Sequence, residues 1–305
     1  MIDLHLHLDG SLTPKDLLTM SRMTKTSLPT EEEEALASLM TFSGRGTLKE
    51  YLNKFRLPLS VMQSAESVEY AVRSLGDRLG SLGYEGAEVR FAPLLHTEKG
   101  AKIEEIVEGA VKGIKESKTP IKLLLCCMRG ASEEANRRTI EAAATCRKDG
   151  VVGVDLAGAE ALYPTEEYRE IFSLASRFGL NITIHAGEAA GEDSVKAALD
   201  FGAKRIGHGV AARSEALLDR LAAEKIAIEC CPTSNLQTGA VVSLKEHPIR
   251  RFIEKGIPCV LCSDNMTVSD TDLPREWEKV RTAFGWSEAI REMLEKQAKE
   301  SAFQA

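Results

Sequence analysis

The chain has 305 residues, 43% of them hydrophobic, with a net charge of −7 and a pI near 5.6. Such an acidic balance excludes a surface built to neutralise many phosphates, so no nucleic-acid partner is expected. No apolar stretch is long enough to span a bilayer, and the N-terminal residues lack the basic and apolar regions of an export signal, so no membrane association is expected and a cytoplasmic location is. The seven cysteines are an odd number and most sit in apolar runs, which favours buried thiols over disulfides or a Cys-only zinc site.

Eight short apolar runs follow one another at 2–7, 87–93, 121–128, 151–158, 180–187, 205–209, 226–232 and 257–263. Several are almost continuously apolar, as parallel strands buried on both faces require. Helix-like patterns lie between them at 132–147, 166–178, 193–201, 214–224 and 244–255. From the second strand onward the spacing is near the roughly 31 residues per unit of a (β/α)₈ barrel, and no linker interrupts it. The expectation is α/β, a single TIM-type barrel domain over 1–305. An open doubly wound sheet is the rival.

Two segments exceed a minimal barrel. Residues 11–85 form an insertion between strands one and two, with an acidic-headed helix at 30–40 that reads as a solvated helix start. The following run places Leu48, Tyr51, Leu52 and Phe55 on one helical face, either as ordinary packing or as an apolar lid. After Leu273, two further helices are expected to close the barrel.

The chemistry concentrates at strand ends. His5 and His7 are two apart, so both imidazoles point to one side of the first strand, by chance or as a metal-gripping pair. His185 ends strand five, His208 ends strand six, and Asp264 ends strand eight. Strands one and eight are neighbours in a closed barrel, which gathers His5, His7 and Asp264, with His185 across the mouth. Three imidazoles and a carboxylate suit zinc with one position left open for water. His96 pairs with nothing in the sequence, and His247, before Pro248, reads as a helix-start or surface residue. His96-Thr97-Glu98 and Pro258-Cys259-Val260-Leu261-Cys262 imitate the two halves of a zinc-site signature that binds through one His and two Cys. In a strand, however, Cys259 and Cys262 face opposite ways, which argues against chelation by that pair.

Taken in order, His5-Leu6-His7-Leu8-Asp9-Gly10-Ser11, Asp155-Leu156-Ala157-Gly158, His185-Ala186-Gly187-Glu188, Gly207-His208-Gly209, Cys231-Pro232-Thr233-Ser234-Asn235 and Ser263-Asp264-Asn265 resemble the motifs of adenosine deaminases, members of the metal-dependent amidohydrolase superfamily. The resemblance implies one divalent metal ion per subunit, zinc by ligand type, held by His5, His7, His185 and Asp264. Iron, cobalt or manganese can occupy such sites. The fourth strand carries no lysine to bridge a second metal. Glu188 resembles the acid that protonates purine N1, with a salt-bridged rim carboxylate as the alternative. His208 resembles the histidine that supports the attacking hydroxide, and Asp264 would also accept a proton from the water.

Three positions bear on substrate. Asp9 matches the contact to a ribose 5′-hydroxyl, although an Asp-Gly turn would also explain it; a carboxylate there repels a 5′-phosphate. Gly158 resembles the position whose amide meets purine N3, or is a plain turn glycine. Asn265 departs from the second Asp that many relatives carry beside the ligand Asp. N7 accepts, and an amide donates at any pH. The implied reaction is hydrolysis of adenosine and 2′-deoxyadenosine to the inosine product and ammonia. The rivals are a deaminase of adenine or another 6-aminopurine, a silent purine-binding barrel, and an amide or lactone hydrolase. A small-molecule purine nucleoside is the expected partner; protein partners are not legible.

Overall fold

In a computed structural model, which describes residues 1–304, every predicted apolar run becomes a parallel strand. These are β1 (Ile2–His7), β2 (Gly86–Phe91), β3 (Ile121–Met128), β4 (Val151–Ala157), β5 (Asn181–Ala186), β6 (Arg205–His208), β7 (Ala227–Cys230) and β8 (Cys259–Leu261). They pair in sequence order. A bridge between Leu6 and Asp264 joins the last strand's end to the first: His7 N–H donates to the Asp264 carbonyl at 2.7 Å, and Asp264 N–H to the His5 carbonyl at 2.8 Å. The architecture is a (β/α)₈ barrel. Most strands stop short of the predicted runs because the last residues turn. Pro232, which cannot donate, opens a helix after β7, and Asp264 beyond β8 takes φ +60°.

The insertion holds α1 (Pro14–Thr24), α2 (Glu33–Met40), α3 (Leu48–Leu52), α4 (Arg56–Val61) and α5 (Ala65–Ser81). Thr13 and Asp16 form a reciprocal cap around Pro14 at the start of α1. The same Asp16 carboxylate accepts the Ser74 hydroxyl of α5 at 2.5 Å, so the cap also docks α1 on α5. The helix predicted at 30–40 starts only at Glu33, and its acidic head is exposed.

The later helices are α6 (Ile103–Glu116), α7 (Glu133–Thr145), α8 (Arg169–Arg177), α9 (Glu192–Asp200), α10 (Glu215–Ala223), α11 (Pro232–Gln237), α12 (Ile249–Glu254), α13 (Leu273–Phe284) and α14 (Glu288–Ser301). The helix predicted at 244–255 is divided: a 3-10 turn ends at Glu246, His247 is extended, and α12 begins after Pro248. Proline removes a helical donor and pushes the residue before it out of the helical region. Both predicted C-terminal helices form, and α14 packs on β8 and β1.

The barrel interior carries a network of buried charges. The Arg90 guanidinium donates to Asp155 at 2.8 Å, to Glu229 at 2.9 Å and to the Leu4 carbonyl at 2.6 Å. Arg205 donates to Glu229 at 2.6 Å, to Glu88, and to the Ser301 carbonyl at 2.9 Å. Phe303 covers the Arg205 guanidinium at 3.7 Å and donates its N–H to Glu88 at 2.6 Å. Buried ions are tolerated only when paired and hydrogen-bonded, and these are.

Candidate active site at the C-terminal rim

The five predicted rim groups converge. His7 Nε2 and His185 Nε2 are 3.1 Å apart, and Asp264 Oδ1 lies 3.5 Å from Nε2 of both His5 and His7. His208 stands behind them, its ring centre 4.9 Å from that of His5 and 5.1 Å from that of His185. Two of these residues sit in backbone conformations that L side chains rarely adopt, His208 at φ +65° and Asp264 at φ +60°. Such strain persists where the surroundings impose it, commonly at functional sites.

The set fits a metal ion. Two tetrahedral zinc ligands, each roughly 2.0–2.1 Å from the ion, lie about 3.3 Å apart. The 3.1 and 3.5 Å separations bracket that value. Buried His5 Nε2 has no hydrogen-bond partner among the described residues, whereas Nδ1 of the same ring is 2.7 Å from Glu229. Likewise His185 Nδ1 lies 2.9 Å from an Asp155 carboxylate oxygen, a close contact without hydrogen-bond alignment. A carboxylate behind each ring fixes its orientation and turns the Nε2 lone pair to the centre. Burial alone would raise the Asp264 carboxyl, but His5, His208 and His7 outweigh it and hold it well below the usual range. It stays an anion. Cys231 can reach the same centre with His208 and Asp264, but burial pushes its thiol well up and keeps the proton on.

The rim opens into a cavity of about 340 Å³. His7, His185, Glu188, His208 and Asp264 line it, as do Asp9, Gly158 and Asn265. Leu48, Tyr51, Leu52 and Phe55 of the insertion form its apolar wall, so the predicted face is turned to the site. The insertion is stitched to the β8 side of the barrel by Tyr51 OH with Ser269 Oγ at 2.6 Å and by Phe42 N–H donating to the Val268 carbonyl at 2.8 Å.

Each substrate position has its own environment. Asp9 Oδ1 is buried with no hydrogen-bond partner among the described residues. Asn265 donates from Nδ2 to Asp264 at 2.6 Å, which leaves its second N–H for a ligand. Gly10 makes room for it: a Cβ there would meet Asn265 Oδ1 at 1.8 Å. Gly158 has φ +108°, which by itself calls for glycine and supports the turn account.

Glu188 accepts from Thr238 Oγ1 at 3.0 Å and lies 3.7 Å from His208 Nε2. Its loop is held by Glu160, to which the sequence reading gave no part. That buried carboxylate accepts backbone N–H groups from Gly187 (2.6 Å), Glu188 (3.0 Å), Ala189 (2.7 Å) and Ala190 (3.0 Å), and the Ser194 hydroxyl at 2.5 Å. Arg129 was also missed; it donates to the His185 carbonyl at 2.7 Å and to the Tyr163 carbonyl at 2.7 Å. Of the two readings of His247 the surface one is corrected, since it is 2% exposed and bonded to Asn235; it does stand at a helix start, where its Nδ1 accepts the Ile249 N–H of α12. Pro248 breaks the helix there. His96 is a core residue beside Phe91, its Nδ1 2.8 Å from the Met62 carbonyl.

A (β/α)₈ barrel whose rim gathers imidazoles and carboxylates over an apolar cavity defines a class, the hydrolase barrels with a metal-ready mouth. Within that class the assignment is specific. The whole chain, residues 1–305, matches the adenosine deaminase family. It belongs to that family. It is 43% identical to the adenosine deaminase of Haemophilus ducreyi over 91% of this chain and 84% of the relative. With the adenosine deaminase of Enterococcus faecalis it shares 38% over 99% of this chain and 91% of the relative. Among solved structures, an adenine deaminase from Arthrobacter aurescens superposes with a TM-score of 0.89 at 24% identity, covering 100% of this chain and 94% of the other. The chain is therefore a hydrolytic deaminase of the amidohydrolase type.

Proposed function

We propose that this enzyme deaminates adenosine and 2′-deoxyadenosine at purine C6, releasing ammonia and leaving inosine or 2′-deoxyinosine. The observation that carries the reading is one cavity lined by the His/Asp cluster, Glu188 and Asp9, whose buried Oδ1 has no hydrogen-bond partner among the described residues. His5, His7, His185 and Asp264 would hold one divalent ion, zinc by ligand type, which supplies hydroxide at neutral pH by lowering the pKa of its water to about 7. Glu188 delivers a proton to N1, which makes C6 electrophilic. His208 supports the oxygen that adds to C6, and Asp264 takes up its proton. The C6 amino group takes the proton held by Asp264 and leaves as ammonia, and the C6 hydroxyl returns a proton to Glu188 as the carbonyl forms. Asn265 donates to N7, the Gly158 amide meets N3, and Asp9 accepts the ribose 5′-hydroxyl.

Asp9 also argues for a nucleoside over its monophosphate, since a 5′-phosphate would approach a buried carboxylate. The test is ammonia release from adenosine, 2′-deoxyadenosine, adenine and AMP by zinc-loaded protein. Turnover of the two nucleosides is expected. Turnover of adenine alone would move the reading to a free-base deaminase, and silence on all four would overturn it. In parallel, Glu188→Gln should keep one metal per chain while losing nearly all turnover. Loss of metal instead would remove Glu188 from the acid role.

A further inference from the structure

Behind His208 lie two buried residues, Asn235 in α11 and His247 in the turn before α12. Asn235 Nδ2 is 3.0 Å from His208 Nδ1, and Asn235 Oδ1 is 3.1 Å from His247 Nε2. On its far side, His247 Nδ1 is 3.2 Å from the Ile249 backbone N–H, which donates to it. A backbone amide can only donate, so this last bond sets the direction of the whole row. His247 Nδ1 must present a lone pair. Its proton is then on Nε2 and is given to Asn235 Oδ1. The Asn amide thereby turns its NH₂ to His208, whose Nδ1 must accept. Reversing the amide would set NH₂ against the His247 N–H, two donors face to face. His208 is left with its proton on Nε2, the nitrogen nearest Glu188. Burial, with His208 nearby, pushes His247 down to about 3, so its ring is neutral as the row requires.

We propose that Asn235 and His247 are positioning residues that lock His208 in the Nε2–H tautomer, making it a fixed hydrogen-bond donor to the oxygen arriving at C6 and not the base that deprotonates it. The target of that proton rests on the deaminase reading above; the tautomer itself belongs to the resting protein. A donor aimed in advance at developing negative charge costs no reorganisation when the reaction occurs. The arrangement also divides the work: His208 supplies a hydrogen bond, and the proton from the water goes to Asp264.

The tautomers can be read without any variant. Zinc-loaded protein labelled with ¹⁵N-histidine, observed at neutral pH through two-bond nitrogen–proton couplings, should show His208 and His247 each protonated on Nε2 only. A proton on His208 Nδ1, alone or together with Nε2, overturns the proposal. In Asn235→Asp the carboxylate accepts from both sides, so the His208 proton should move to Nδ1. There kcat should fall about 100-fold, as on loss of one oxyanion donor, while KM and metal content hold. His247→Gln can still donate to Asn235 Oδ1 and should keep both the His208 tautomer and most of kcat. Unchanged kcat in Asn235→Asp with the proton moved would overturn the donor role. If the wild-type protein released no ammonia from any purine, the deaminase reading would fail, and the spectrum would still decide the relay.

Discussion

A carboxylate oxygen buried without a donor is held at a cost, and Asp9 Oδ1 is one. Burial, with Asp264 nearby, raises the Asp9 carboxyl to about 6, so at neutral pH it is mostly charged while its Oδ1 has no donor. A ribose 5′-hydroxyl would satisfy it. Hydrogen bonds to charged groups contribute about 1.5–3 kcal/mol, so Asp9→Ala should raise KM for adenosine roughly 10- to 100-fold. KM for free adenine, which has no ribose, should stay where it is; equal losses on both would sink the assignment. Asn265 makes a different prediction because its amide already serves Asp264. Asn265→Ala should raise KM about tenfold, as loss of a neutral hydrogen bond of about 1 kcal/mol or slightly more implies. An unchanged KM would remove the N7 contact.

Loops, more than strands, decide where Glu188 stands. The segment after β5 would be free to rearrange if Glu160 did not accept four of its N–H groups. Glutamine has nearly the same shape but sets an NH₂ against some of those donors. Glu160→Gln should therefore displace Glu188 and lower kcat about 100-fold, the scale of a 1 Å misplacement. Kinetics alongside metal analysis checks this, and wild-type kcat in Glu160→Gln would refute the clamp. Such residues also mark the limit of what the sequence discloses. His5, His7, His185 and Asp264 were legible because strand periodicity and barrel topology together dictate which side chains reach the rim. Asp155 and Glu229 were half-legible: a carboxylate inside an apolar strand must have a partner, but not a named one. Glu160, Arg129 and Asn235 act through loop contacts that no periodicity encodes. His247 was half-legible, because Pro248 announces the helix start beside it but not the direction in which the ring before it turns.

At the scale of the molecule, buried histidines set the acid limit. Burial lowers His96 to about 4 and, with His208 nearby, His247 to about 3, against an ordinary 6.5. Both rings are neutral when folded, whereas the unfolded chain protonates them below 6.5. Their contribution is thus complete above that pH and shrinks on acidification until about 4 and about 3, with a slope near 1.4 kcal/mol per pH unit for each. Denaturant melts across this range should show the slope, and His96→Gln should flatten it. The interior charge network is a second determinant. Arg205→Leu strands Glu88 and leaves Glu229 with Arg90 as its one cation, and loss of one partner of a buried pair costs about 3–5 kcal/mol. Through Glu229 the same change should weaken the hold on His5 and lower metal affinity.

The seam where β1 meets the end of β8 has one more consequence. His5 and His7 lie on one side of it and Asp264 on the other, so an ion held by all three would be a cross-link across the joint that closes the cylinder. The joint unites the most distant parts of the chain and closes at the greatest loop-closure cost. Chelation should therefore act as an unzipping agent. Amide hydrogen exchange at His7 and Asp264 should accelerate on metal removal well before α6 or β3 respond, and uniform exchange across the barrel would show that the ion only occupies a joint already shut.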